Sequence, residues 1–385
     1  MRQLPQVDEL LKAATDRGDV PGVVAMAATR EGPIYQGAFG KRAVPDGPAM
    51  TVDTVFWIAS MTKAITSTAA MRLVEQGKLS LESPISEVLP ELASPLVLEG
   101  FEASGEPILR PARQRITLRH LLTHTAGFVY DIWNPDMSRY MEKKGAPGKN
   151  AALMLPLVFD PGDRWDYGIN IDWAGKAVER ASGQSLGDFF AEHIFRPVGM
   201  TDTGFTLAPD RRARLVGMHA RAEDGTLGPI PFELPQDPEF QMGGGGLYGT
   251  AANYLAFERL FLNQGRVNGR QVLRPETVQL MSQNAIGGLD VRGLETAVPA
   301  YSNNAEFFPG IRKKWGLGFM ISPEPMPGGR GPGSLAWAGL GNTYFWIDPA
   351  KGVAGVVLMQ LIPFADPKAL TLLDGFEKTL YAALG

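Results

Sequence analysis

The sequence predicts a mixed α/β (α+β) fold in which one antiparallel sheet is built from both ends of the chain and flanked by helices. The middle of the chain carries apolar residues at helical spacing. Sheet strands must share a core, so we expect the mostly helical middle to be an insertion between two strand groups. The predicted strands, rich in small and β-branched residues, are 22–29, 34–39, 316–321, 334–338, 343–347 and 353–361.

Helical patterns account for the remaining elements. The segment from Ser60 to Gly77 has no proline, contains many Ala and Thr residues and ends in glycine, which is typical of a helix. Segments 82–114 and 223–238 are rich in Pro together with Glu, Ser or Gly and are predicted to be irregular. The other predicted helices are 7–14, 116–124, 169–182, 186–195, 250–263, 274–284 and 366–384.

The composition is that of an ordinary globular protein, with 385 residues, 44% hydrophobic and 20% charged, and a formal net charge of -4. The net charge is negative, whereas phosphate binding needs clustered Lys and Arg. A nucleic-acid partner is therefore not expected. We expect a single unit over residues 7–380. Within it, an α/β lobe (1–58 plus 245–385) and a mainly helical lobe (59–244) would hold the functional site between them.

The chain contains no cysteine, which excludes disulfides, thiolate catalysis and cysteine-based metal sites. Its N-terminal segment is polar and lacks the apolar core of a signal peptide. The longest apolar run, 353–362, is too short to span a bilayer. We therefore expect a cytoplasmic protein with no membrane partner, and the oligomeric state stays unknown.

The main chemical signal is Ser60-Met61-Thr62-Lys63, where an apolar segment enters a predicted helix. At a helix start the backbone N–H is unpaired and the helix dipole is positive, which favours a developing oxyanion. Lys63 lies one turn on, beside the hydroxyl, and a desolvated lysine can serve as the base that a serine nucleophile needs. The spacing by itself favours a helix cap followed by a surface lysine.

Two later segments add to this signal. Tyr167 lies on a loop just before a predicted helix, from which its phenol can point into a cleft; a core tyrosine is the alternative. The segment Trp337-Ala338-Gly339-Leu340-Gly341-Asn342 places glycines in a predicted strand. They indicate close approach of a ligand to the backbone, or else a strand end with a turn.

In this order, Ser60-x-x-Lys63, Tyr167 and Trp337-Ala338-Gly339 resemble the three-part pattern of class C β-lactamases and D-Ala-D-Ala carboxypeptidases, and most of all the family VIII carboxylesterases built on that fold. Segments 118–127 and 339–349 are similar to family segments as well. The resemblance implies a β-lactamase/transpeptidase-like fold. It also implies that Ser60 is acylated, that Lys63 and Tyr167 transfer its proton, and that the N–H groups of Ser60 and Leu340 form the oxyanion hole.

The chain departs from that pattern at two positions. The β-lactamases carry an Asn two residues after the tyrosine, where this chain has Ile169, with Asn170 one further. Their late-strand motif begins with a lysine that grips the β-lactam carboxylate, and here Trp337 replaces it. An apolar residue suits a neutral ester. The predicted substrate pocket consists of Tyr130, Phe128, Ile169, Trp337 and Gly339, with ordinary loop packing as the alternative for Tyr130 and Phe128.

Two other motifs are interpreted as structural. Gly183-Gln184-Ser185-Leu186-Gly187 matches the nucleophile elbow, but a predicted helix precedes it instead of a strand, so Ser185 is interpreted as a helix cap. His120 and His124 have the spacing of a zinc-binding pair, but no third ligand is nearby, so no metal site is predicted. The glycines 243–246 are expected to let the backbone pass close to the cleft wall.

We therefore predict a serine carboxylesterase that hydrolyses short-chain acyl esters through an acyl-enzyme on Ser60. A small-molecule ester is its expected partner, β-lactam hydrolysis is a weak side reaction, and no cofactor is expected. Three alternatives remain: a β-lactamase or D-Ala-D-Ala peptidase, an acyltransferase in which an alcohol deacylates Ser60, and a non-catalytic binding module. The intact Ser60, Lys63 and Tyr167 argue against the last.

Overall fold

Strands from the two ends of the chain meet in one antiparallel sheet, which confirms the predicted fold class. The computed structural model describes residues 1–144 and 153–385. The joining pair is Gly22–Thr29 with Val353–Leu358, where Val24 lies opposite Leu358. In spatial order, the seven strands of this sheet are Lys314–Trp315, Met320–Ser322, Ser334–Gly339, Thr343–Asp348, Val353–Leu358, Gly22–Thr29 and Pro33–Gly40.

Helices cover both faces of the sheet. In the strand Thr343–Asp348, successive side chains point to opposite faces. Phe345 packs on Tyr254 of the helix Ala251–Leu262, with ring centroids 4.9 Å apart. Trp346 packs on Phe376 of the helix Pro367–Leu384 at 5.9 Å. Because both faces are covered, every residue of this strand is buried, and between Thr343 and Asp348 its sequence is aromatic or apolar without polar alternation.

Most α-helices of the described residues lie between the two strand groups of the central sheet. The α-helices of the described residues are Pro5–Asp16, Thr62–Glu75, Leu118–Leu122, Pro135–Lys144, Asn170–Ser182, Leu186–Phe190, Arg196–Val198, Pro209–Arg212, Ala251–Leu262, Pro275–Met281 and Pro367–Leu384. All strands of the central sheet fall within 1–58 and 245–385, and the division into two lobes stays a prediction. No helix among residues 1–144 and 153–385 has the length and apolar character needed to cross a membrane.

The two segments predicted to be irregular both contain strands. Leu96–Phe101 and Pro107–Pro111 form a hairpin, and Leu227–Ile230 pairs with Met218–Arg221. The first hairpin is anchored by a contact that is distant in sequence, because the N–H of Leu98 donates to the Leu157 carbonyl at 2.7 Å. Such tertiary pairing overrides the local content of proline and charge on which the prediction relied.

Two helical segments differ from the prediction. The predicted helix 186–195 is α-helical only over Leu186–Phe190 and continues as a π-helix over Ala191–Phe195. The helix Pro135–Lys144 was not predicted. Its sequence is strongly polar, and of its described side chains only Met137 is buried, so the apolar periodicity that indicates a helix is nearly absent.

Candidate active site

Ser60 lies in a 3₁₀ turn, Ala59–Met61, that leads directly into the helix Thr62–Glu75. Ala59 has a φ of 45°, a left-handed conformation that costs a non-glycine residue about 1–2 kcal/mol. The neighbouring strand holds the turn closely. A Cβ at Gly339 would lie 2.4 Å from the Ile58 carbonyl oxygen and 3.2 Å from the Ala59 Cβ. Gly339 is therefore required for backbone packing against the turn that presents Ser60.

The Lys63 amine lies beside the Ser60 hydroxyl, at 3.1 Å from Nζ to Oγ. Nζ also contacts the Tyr130 hydroxyl at 3.0 Å and donates to the Gly244 carbonyl at 2.6 Å. Lys63 has no exposed surface. Burial lowers the pKa of Lys63 to about 7, while the negative charge of Asp172 acts in the opposite direction.

These three contacts leave the amine able to act as a base. The Gly244 carbonyl can only accept a hydrogen bond, so one N–H of Lys63 is committed to it. The neutral amine keeps a second N–H and a lone pair for the hydroxyls of Ser60 and Tyr130. Since the pKa of Lys63 is near 7, the neutral form is well populated at neutral pH. The geometry therefore permits transfer of the Ser60 proton to Lys63.

Tyr167 is the second predicted catalytic residue that the fold brings to Ser60. Its hydroxyl accepts a hydrogen bond from the Trp337 indole N–H at 3.0 Å, and its ring centroid lies 4.7 Å from Lys63 Nζ. Burial raises the pKa of Tyr167, and contacts with Ser60 and Trp337 partly offset this effect. The phenol is thus protonated at neutral pH and can donate a proton.

The loop carrying Tyr167 is held against the loop that follows His124. Asn170 donates from Nδ2 to the Phe128 carbonyl at 2.8 Å and contacts His124 Nδ1 at 3.1 Å. The Gly168 N–H also points to His124 Nδ1, at 3.4 Å. Both partners are donors, so Nδ1 is an acceptor and the ring carries its proton on Nε2. The Asn170 side chain therefore links two loops behind the site and does not face the substrate.

Tyr130 has a closer relation to the chemistry than its predicted place in the pocket suggested. Its hydroxyl contacts Lys63 Nζ, and its ring packs on Tyr167 with centroids 5.3 Å apart. The backbone N–H of Tyr130 donates to the Tyr167 carbonyl at 3.2 Å. Sequence reasoning missed the contact with Lys63 because the two residues are 67 positions apart. A tyrosine three residues after the Thr-Ala-Gly segment was the available signal.

A cavity of about 910 Å³ opens beside Ser60. Of the residues predicted for the pocket or the oxyanion hole, Ser60, Tyr130, Ile169 and Leu340 line this cavity. Phe128, Trp337 and Gly339 do not: Phe128 packs in the core beside Trp173, Trp337 lies behind Tyr167, and Gly339 is closed off by Ile58 and Thr343. The other large apolar side chains of the lining include Trp57, Trp133, Phe205, Leu234 and Phe240.

The two motifs interpreted as structural both stabilise helix starts. Ser185 caps the helix Leu186–Phe190, accepting from the Asp188 N–H at 3.1 Å, and the helix Asn170–Ser182 precedes it. His120 Nδ1 accepts from the Thr117 N–H at 3.3 Å as part of a capping box. Among the described residues, no three His, Asp or Glu side chains gather into a group that could hold a metal ion.

Comparison with known proteins gives consistent matches over nearly the whole chain. The family model described as Beta-lactamase matches residues 7–373. The chain is 34% identical to the ML-236A carboxylate methylbutanoyltransferase of Penicillium citrinum, over 98% of this chain and 94% of that protein. It is 33% identical to the lovastatin esterase of Penicillium rubens, over 92% of each. Unliganded simvastatin synthase from Aspergillus terreus matches with a TM-score of 0.84 at 33% identity, covering 99% of this chain and 98% of that one.

Proposed function

Because this chain belongs to the β-lactamase family, as its sequence pattern predicted, we propose that it is a serine acyltransferase that also hydrolyses esters. An acyl group is carried on Ser60 and passed to a hydroxyl of a bulky, largely apolar small molecule, with water as the competing acceptor. The contact between Ser60 Oγ and Lys63 Nζ carries this proposal. A base held at that distance activates an otherwise weak nucleophile.

Acylation follows from the positions of the three side chains. Neutral Lys63 takes the Ser60 proton as Oγ attacks the acyl carbonyl carbon. The backbone N–H groups of Ser60 and Leu340 stabilise the tetrahedral oxyanion. As the intermediate collapses, the leaving oxygen receives the phenolic proton of Tyr167, and the Lys63 ammonium restores that proton. Tyr130, in contact with Nζ, helps to hold the amine in place.

Deacylation runs the same steps with a different hydroxyl. The acceptor O–H loses its proton through Tyr167 to Lys63 while its oxygen attacks the acyl carbon, and Ser60 regains a proton as it leaves. Nothing in these steps distinguishes an alcohol from water. The choice depends on which of the two occupies the cavity when the acyl-enzyme is present.

Two observations support transfer to an alcohol above simple hydrolysis. Methylbutanoyltransferases of Penicillium citrinum and Aspergillus terreus are similar to the chain over 98% of its length, compared with 92% for the lovastatin esterase. The cavity of about 910 Å³ is far larger than a short acyl ester requires and is lined mainly by apolar side chains. The predicted short-chain esterase thus becomes the minor reaction, and the acyltransferase alternative becomes the main proposal.

A partition experiment tests this proposal. The enzyme is given p-nitrophenyl 2-methylbutanoate with or without monacolin J acid as a bulky alcohol, and free acid and transferred ester are both quantified by chromatography. We expect the alcohol to capture most of the acyl group, and Ser60→Ala to abolish both products. If saturating monacolin J acid and other bulky alcohols accept no acyl group and only hydrolysis is seen, the protein is an esterase and the acyltransferase proposal fails. If Ser60→Ala keeps its activity, both functions are refuted.

A further inference from the structure

The glycines at 243–246 form a backbone turn that passes between two helices of the site. Thr66, on the helix Thr62–Glu75, donates to the Gly243 carbonyl at 2.6 Å. Lys63, on the same helix, donates to the Gly244 carbonyl at 2.6 Å. A Cβ at Gly244 would lie 2.4 Å from Asp172 Oδ2. The absence of side chains lets this backbone contact both helices at once.

Asp172 holds Gly244 from the other side. It lies in the first turn of the helix Asn170–Ser182, and 5% of it is exposed. Its Oδ1 accepts a hydrogen bond from the Gly244 N–H at 2.9 Å. A buried carboxylate is costly unless it is paired and hydrogen-bonded, and a hydrophobic residue would fill this position without that cost. Packing by itself therefore does not account for a carboxylate at position 172.

We propose that Asp172 is a positioning residue for the Lys63 amine: it fixes Gly244, whose carbonyl orients Nζ toward Ser60, and its negative charge stabilises the protonated amine that forms during acylation. This inference rests on the proposed function, since it concerns the base of that reaction. Asp172 also lines the cavity beside Ser60, but the contact that carries the inference is the one with the backbone of Gly244.

The electrostatics agree with this geometry. Burial lowers the pKa of Lys63, and Asp172 counteracts the effect; burial raises the pKa of Asp172, and Lys63 counteracts that in turn. The other titratable groups facing the amine are the phenols of Tyr130 and Tyr167 and the ring of His124. Further out, Lys176 acts on Asp172 and Asp131 acts on Tyr130. Removing the Asp172 charge should therefore lower the pKa of Lys63.

Two substitutions separate the charge from the hydrogen bond. Asp172→Asn keeps an oxygen that accepts from the Gly244 N–H but removes the charge, whereas Asp172→Ala removes both. The matched control is Asp188→Asn, which neutralises an exposed carboxylate on the next helix. The readouts are the pH profile of kcat/KM for p-nitrophenyl butyrate and the rate at which an organophosphonate labels Ser60, with thermal melting as the measure of folding.

For Asp172→Asn we expect the acid limb of both profiles to move to lower pH by about one unit, since nearby charges shift pKa values by about 1–3 units. For Asp172→Ala we expect kcat to fall by about ten- to a hundredfold as the amine loses its fixed position. Asp188→Asn should match the wild type.

An unshifted acid limb in a folded Asp172→Asn protein would overturn the inference. So would loss of Ser60 labelling at every pH in that protein, because an amide keeps the acceptor for the Gly244 N–H and a positioning residue should then leave activity. Ser60→Ala distinguishes failure of this inference from failure of the proposed function. If that variant still hydrolyses the ester, the proposed function itself fails; if it is inactive and the profiles do not move, only the role of Asp172 fails.

Discussion

At the scale of single residues, the proposed chemistry depends on the burial of Lys63. A lysine one turn after a serine on an exposed helix would stay protonated and could not accept a proton. Here the whole side chain is enclosed, and burial lowers its pKa to about 7. The same enclosure places Nζ between the hydroxyls of Ser60 and Tyr130. Desolvation and hydrogen bonding together turn a common spacing into a candidate catalytic pair.

A pair of serine substitutions tests which serine is the nucleophile. We expect Ser60→Ala to reduce ester hydrolysis by several orders of magnitude, as removal of a nucleophile does in other serine enzymes. Ser185→Ala should change it little, because Ser185 is exposed and caps a helix. Initial rates with p-nitrophenyl butyrate measure both. An active Ser60→Ala variant with an inactive Ser185→Ala variant would revive the elbow interpretation.

The pKa of Lys63 predicts the pH dependence of the reaction. The amine must be neutral to accept the Ser60 proton, and it becomes protonated as the pH falls below about 7. We therefore expect kcat/KM to rise through pH 7 and level off above it, with about a tenfold loss per unit on the acid side. Stopped-flow acylation rates between pH 5 and 9 measure this limb. A rate independent of pH over that interval would show that Lys63 is not the base.

At the scale of elements, the strand Ser334–Gly339 supports the site from behind. Trp337 donates from its indole N–H to the Tyr167 hydroxyl at 3.0 Å and packs edge-on against the rings of Tyr167 and Trp315. The sequence suggested that Trp337 forms part of the substrate pocket. Trp337 is instead buried, and its hydrogen bond orients the Tyr167 phenol. Leu340, three residues later, lines the cavity.

This arrangement makes Trp337→Phe an informative change. Phenylalanine keeps much of the ring packing but cannot donate to Tyr167, and losing one hydrogen bond costs about 0.5–1.5 kcal/mol. We expect kcat for ester hydrolysis to fall by about two- to tenfold, with KM nearly unchanged because the indole does not line the cavity. Steady-state kinetics separate the two constants. A large rise in KM with unchanged kcat would return Trp337 to the pocket.

The same strand bears on the choice between esters and β-lactams. In β-lactamases with a similar motif, a lysine at the position of Trp337 binds the β-lactam carboxylate. Tryptophan cannot form that charge-assisted hydrogen bond. We expect kcat/KM for a butyrate ester to exceed that for a chromogenic cephalosporin by about ten- to a hundredfold. Both substrates are measured in one buffer. A cephalosporin that matches the ester would favour the β-lactamase alternative.

At the scale of the whole molecule, the cavity is assembled from parts that are far apart in the chain. Trp57 precedes the Ser60 turn, Ile169 stands at the start of the helix Asn170–Ser182, and Leu340 follows a strand of the C-terminal group. Only the joining of the two strand groups in one sheet brings these segments around one space. The volume available to an acceptor is therefore a property of the fold and of no single motif.

Filling this space tests whether its size determines the acceptor. Ile169→Trp adds bulk to the lining, so we expect transfer to a bulky alcohol to fall at least about tenfold more than hydrolysis of a short ester. Leu280→Trp adds the same ring on a partly exposed helix outside the cavity and should leave the ratio unchanged. Product ratios by chromatography decide this. An unchanged ratio in Ile169→Trp would show that the acceptor binds elsewhere.

The sequence by itself determined the fold class, the family and the set Ser60, Lys63 and Tyr167 as candidates, because strand and helix periodicities are local and the motifs recur in a set order. The tertiary structure decided which side chains surround that set. It brought Tyr130 to Lys63, placed Phe128, Trp337 and Gly339 outside the cavity, and set Asp172 against Gly244. Each of these contacts joins, within a few ångströms, residues that are tens to hundreds of positions apart in the sequence. Spacing and periodicity along the chain do not encode such distances, because they result from how whole elements pack.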